Sequence, residues 1–112
     1  MQRIIEIRTY QLKAGMAAQF RQTMLAASLP LLRGAGTDVV ASCASLHSAD
    51  AYVLIRAYDD LAQRRRSQDA FYSGAAWLDG PRDAVMACID SYTTAVLSAD
   101  GELIDALRRL PA

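Results

Sequence analysis

The chain has 112 residues, about three quarters of a typical domain, which leaves no room for separate catalytic and regulatory units. Apolar residues make up 53%, but 21 of them are alanine; the rest suffice for one sheet with its helices and leave a face for a second copy to bury. Twelve cations balance twelve anions, so no electrostatic footprint for nucleic acid or an anionic membrane is expected.

From Arg3 to Leu12 the residues alternate, with Ile5, Ile7 and Thr9 on one side and Ile4, Glu6, Arg8 and Tyr10 on the other, the period of a strand. After Lys13-Ala14-Gly15, Met16, Phe20, Thr23, Met24, Ala27 and Leu31 recur at helical spacing. Pro30 is expected to kink or restart this helix, and Gly34 and Gly36 offer left-handed positions that end it. A second strand is read over 37–46 and a third over 51–58, where Val53, Ile55 and Ala57 oppose Tyr52, Leu54, Arg56 and Tyr58. The polar turn between them makes a hairpin.

Asp59 or Asp60 caps a second helix to about Tyr72, with Asp60 four residues before Arg64 on a solvated face. A turn carries Trp77, Gly80-Pro81 restarts a helix, and a strand follows over 91–97. Asp100 then caps a last helix with Leu103, Leu107 and Leu110 on one side. The order β-α-β-β-α-β predicts an α+β fold of the ferredoxin-like type over residues 1–99, with a C-terminal helical tail over 100–112.

The helices are expected to cover the Ile5, Ile7 and Thr9 face. The mixed face of Glu6, Arg8, Tyr10, Tyr52, Leu54, Arg56 and Tyr58 is then free to meet its copy in a homodimer. Two readings stand for Glu6, Arg8 and Arg56: cross-strand ion pairs at a seam, or groups lining a ligand site.

The stretches IIEIRTYQLKAGM, SLHSADAYVLIRAYDDL and RSQDAFYSGAAWLDGPR resemble the NIPSNAP family over about residues 4–97. Carrying the match are Ile5, Glu6, Arg8 and Tyr10 in the first strand, Lys13 and Gly15 after it, the pair Leu46-His47, and Phe71-Tyr72 leading to Trp77 and Gly80-Pro81-Arg82. The resemblance implies the dimeric α+β barrel superfamily and brings little chemistry with it. Superfamily relatives include cofactor-independent monooxygenases and isomerases.

A small organic ligand is therefore the expected occupant, in an interior bordered by His47, Arg8 and Tyr10 as catalytic candidates. Glu6, Arg56, Tyr58, Tyr72 and Trp77 are the ligand-binding candidates. His47 would act as a base while Arg8 and a tyrosine hydroxyl hold the developing oxyanion; the alternative is a non-catalytic ligand-binding or protein-interaction module. No nucleotide, nucleophile-elbow or zinc-protease motif occurs, and Cys43 and Cys88 lack metal-ligand spacing. Neither metal nor cofactor is expected. The N-terminus lacks a long apolar run and no membrane-length apolar stretch follows, so a cytoplasmic protein with no membrane partner is expected.

Overall fold

The computed structural model describes residues 2–112. Strand β1 (Gln2–Leu12) leads into α1 (Ala17–Thr23), which continues through a π-helical turn (Met24–Ser28) into α2 (Leu29–Gly34). The hairpin of β2 (Asp38–Ala44) and β3 (Ala51–Tyr58) follows, then α3 (Leu61–Ser73), α4 (Ala75–Leu78) and α5 (Arg82–Cys88). Strand β4 (Ile89–Asp100) grows directly out of α5 and ends in α6 (Gly101–Leu107).

The sheet order is β2-β3-β1-β4 with every pairing antiparallel, the ferredoxin-like arrangement. The sheet is not the closed barrel that the family resemblance implied. β2 and β4 are the two edges and do not pair with each other, so the sheet stays open. Four strands are too few to close on themselves, since even a side-chain-filled barrel takes about eight.

The face assignment is also reversed. Tyr10, Leu12, Val39, Tyr52 and Leu54 pack against Phe20, Met24, Leu29 and Leu32 of the first helical stretch and against Trp77, Val85 and Cys88. The face with Glu6, Arg8, Arg56 and Tyr58 is thus the one the helices cover, and a seam between copies through Tyr52, Leu54, Arg56 and Tyr58 is excluded by their burial within one chain. On the opposite face, Ile5, Ile55, Ala57 and Ala99 are covered by Ile104 and Leu107 of α6. Arg108, just past that helix, pins it by pairing both its terminal nitrogens with Asp38, which also accepts from Arg3. Ile7 and Val53 remain half-buried and Thr93, Ala95 and Leu97 exposed on that face.

Pro30 does not break the first helix. Proline has no N–H to give to the carbonyl four residues back and its ring would strike that carbonyl, so the chain widens by one residue into a π turn just before it. The extra residue moves the buried stripe from the expected Ala27 and Leu31 to Ser28, Leu29 and Leu32. At the end of α2 the amide of Gly36 bonds to Arg33 O and that of Thr37 to Leu32 O, a Schellman closure in which Gly36 takes φ 88°. Asp60, rather than Asp59, caps α3 by accepting from Gln63 N at 2.7 Å, and Asp100 caps α6 through Leu103 N at 2.8 Å.

Candidate functional site

Strand pairing sets Glu6 of β1 directly opposite Arg56 of β3, and both side chains are fully buried beneath α3. Glu6 Oε1 accepts from Arg56 Nη2 in a close ion pair. Its other oxygen, Oε2, accepts from Arg64 Nε at 2.6 Å and from Gln68 Nε2. Arg56 Nη1 donates to the Tyr72 hydroxyl at 2.7 Å, and Gln68 Nε2 to the Tyr58 hydroxyl at 3.2 Å. Arg64, Gln68 and Tyr72 are spaced four apart on α3, so a single helix face supplies all three contacts.

Electrostatics fixes the protonation of this network. Burial alone would raise the Glu6 pKa, but the Arg56 charge and hydrogen bond outweigh it, helped by Arg8 and Gln68, and hold it at about 2. Burial opposes the Arg56 cation, and the hydroxyls of Tyr72 and Tyr58 together with Glu6 more than compensate, so its pKa lies above the ordinary guanidinium value. Burial pushes Tyr10 up to about 12, and it keeps its proton at neutral pH.

Beside the network a cleft of about 370 Å³ opens between the sheet and α3 to α5. Its polar lining is Arg8, Gln68, Arg82 and the tyrosines Tyr10, Tyr72 and Tyr92; its apolar wall is Trp77, Val85, Met86 and Ile89. Arg8 lies over the Tyr92 ring, 4.7 Å from its centroid, a cation–π contact. Trp77 stacks edge-on against Tyr72 at 5.4 Å between centroids. Gly80 lets α4 turn into α5 here: a Cβ at that position would lie 2.2 Å from the Ala76 carbonyl oxygen.

A larger groove of about 680 Å³ runs between α1 and the end of the hairpin, mostly alanine-lined, with Arg21 as its one charged group. It is roomier but holds only one hydroxyl-bearing side chain, Tyr52, and none of the charged network. Size alone does not make it the site.

Seven of the eight residues singled out in the sequence gather at or behind the cleft: Arg8, Tyr10, Tyr72 and Trp77 on its wall, with Glu6, Arg56 and Tyr58 behind them. His47 is not among them. It sits exposed in the turn between β2 and β3, its amide bonded to Ser45 Oγ, and lines none of the cavities described. Arg64 and Gln68 were missed because Arg64 reads as part of a basic run matched by Asp60; their spacing with Tyr72 was the available signal. Tyr92, one of the aromatics the sequence offered as a cavity lining, stands opposite Tyr10 in the β1–β4 pairing and lines the cleft, whereas Arg82 was missed as a lining group.

Chemically, this is a donor-rich recess. Neither Glu6, with both oxygens engaged, nor Tyr10, with its proton held, is poised to take a proton at neutral pH. What the cleft offers is guanidinium and hydroxyl donors facing an apolar wall. Among the described residues no group of three or more histidines, cysteines or acidic residues is placed to hold a metal ion, and no helix is long and apolar enough to cross a membrane.

No protein-family model and no curated protein matches the chain. Solved structures do. A NIPSNAP-like domain protein from Burkholderia xenovorans superposes with a TM-score of 0.80 at 18% identity, covering 88% of this chain and 86% of that one. A NIPSNAP family protein of unknown function from Agrobacterium tumefaciens gives 0.79 at 18% identity, covering 87% of each chain. A provisionally named antibiotic biosynthesis monooxygenase from Nitrosomonas europaea gives 0.67 at 17% identity, over 87% of this chain and 89% of its own. The resemblance read from the sequence is thus matched in three dimensions, and the chain has the fold of the NIPSNAP-domain proteins.

Proposed function

We propose that this chain is a NIPSNAP-family protein that binds a small organic molecule in the cleft under α3 to α5, without itself supplying a catalytic base. The observation that carries the reading is the convergence of Arg8 and Tyr10 from the first strand with Tyr72 and Trp77 from the distant α3 and α4 on one recess whose volume suits a small ligand. The immobilised Glu6 network favours binding over proton transfer: it orients Arg56 and Tyr72 and leaves no free carboxylate among the lining residues. The fold shared with a provisionally named monooxygenase favours a second reading, in which Arg8 and Tyr10 hold an oxyanion on a substrate that reacts without a protein base.

The uncovered sheet face supports a homodimer. Leu97 is 51% exposed there beside Thr93 and Ala95, next to half-buried Ile7 and Val53, an apolar surface suited to burial by a second copy. Two such sheets would stack through the face opposite the cleft, leaving the cleft of each copy accessible.

Met86 lines the cleft and is 44% exposed, so Met86→Trp fills the recess without disturbing the core. Native mass spectrometry after incubation with a library of small aromatic and aliphatic acids, amides and alcohols is expected to show adducts on the wild type that the variant loses. A wild type that retains no library member, or a variant that binds equally well, would contradict the assignment.

A further inference from the structure

Resting on that reading of the cleft, we propose that its ligand is an organic anion, a carboxylate on an apolar body, gripped by the guanidinium fork of Arg8. Arg8, Arg56 and Arg64 have Glu6 as their one carboxylate within 4.0 Å among the described residues, so three cations share a single anion. Arg56 is compensated by Glu6 and the hydroxyls of Tyr72 and Tyr58, and Arg64 is partly open to water, so the demand for a further anion falls on the buried, loosely paired Arg8.

Arg8 is where that demand meets the cleft. Arg56 and Arg64 hold Glu6 tightly, whereas Arg8 Nη2 stands 3.6 Å from Oε1, beyond hydrogen-bond length. The Arg8 side chain is 11% exposed, and its Nε–H is buried with no acceptor. A fork with a free Nε–H and a loosely engaged terminal nitrogen matches the two oxygens of a carboxylate.

The surroundings agree. Arg82 also lines the cleft, as does Tyr10, whose hydroxyl burial keeps protonated and able to donate; no acidic side chain is among the lining residues. The remaining wall, with Trp77, Val85 and Ile89, suits a ring or a medium-length chain rather than a second charged group. The volume of about 370 Å³ accommodates a one-ring or medium-chain acid.

Trp77 is the only tryptophan in the chain and lines the cleft, so its fluorescence reports occupancy directly. The test titrates wild type with phenylacetate and octanoate, and with phenylacetamide and octanamide, which keep the shape and lose the charge. The acids are expected to change Trp77 emission saturably and to bind at least about tenfold more tightly than the amides, a preference worth about 1.4 kcal/mol. Arg8→Gln should abolish that preference. Arg82→Gln, a change at a half-exposed side chain that spares the core, should reduce acid affinity by about two- to fivefold. If amides saturate the cleft as tightly as acids, or if the preference survives in Arg8→Gln, the anion inference falls while the cleft reading stands. If none of the four probes moves Trp77, both fall.

Discussion

At the residue scale, Glu6 sustains both the packing of α3 on the sheet and the charge arrangement behind the cleft. Its pKa of about 2 lies below the unfolded value of 4.5, so its ionised form favours the folded state. This contribution is complete above about pH 4.5 and is lost as the pH falls toward about 2. The difference corresponds to about 3 kcal/mol. Glu6→Gln, which strands three guanidiniums beside a neutral amide, is expected to cost about 3–5 kcal/mol at neutral pH. Urea unfolding across a pH series should show the gap between wild type and variant narrowing through that acidic window. A gap that stays constant down to about pH 2 would mean that the Glu6 ion pairs do not set the stability of this region.

At the scale of elements, the order of strands and helices was legible from alternation, helical spacing and turn residues, except that the segment carrying Trp77, read as a turn, is the short helix α4; the capping by Asp100 and the immediate passage from α5 to β4 were legible too. The facing of the sheet was not. Alternation in β1 separates Ile5 and Ile7 from Glu6, Arg8 and Tyr10 but does not say which set meets the helices, and hydropathy favours the isoleucines. The decision lies in α3, whose Arg64, Gln68 and Tyr72 face needs a carboxylate and finds it in Glu6. Polar satisfaction across 58 and 62 residues of sequence therefore outweighs aliphatic patterning within one strand. The first helix gives a similar lesson: its stripe is readable up to Met24, and the π turn before Pro30 then moves it by one residue, a shift with no local hydropathy signal. The candidates on β1 and β3 were legible because a charged and aromatic strand face is unusual whichever way it points, and Tyr72 and Trp77 through the family-like stretch that carries them. His47 joined them as the one histidine in the sequence, a candidate base, and through its place beside Leu46 in the family-like pair, and the hairpin turn carries it to solvent.

For the whole molecule, the open sheet divides two tasks. One face is packed by helices and holds the cleft; the other is capped at one end by α6 and elsewhere uncovered, the surface proposed above to meet a second copy. Leu97→Asp, on the uncovered face, is expected to convert a dimer to a monomer in light scattering while leaving ligand binding intact. A soluble dimer that tolerates the change would move the seam elsewhere. By contrast Leu54, 1% exposed in the helix-covered core, would report on folding rather than association. The central claim is that small molecules enter beneath the helices at Arg8. The most direct measurement is an NMR titration with phenylacetate that follows the Arg8 Nε–H and the Trp77 indole N–H together with the backbone amides. The account predicts saturable shifts at Arg8, Trp77, Tyr72 and Met86, with Leu25 in the alanine-lined groove and Val53 on the uncovered face unchanged; shifts confined to either of those surfaces, with Arg8 and Trp77 unmoved, would contradict it.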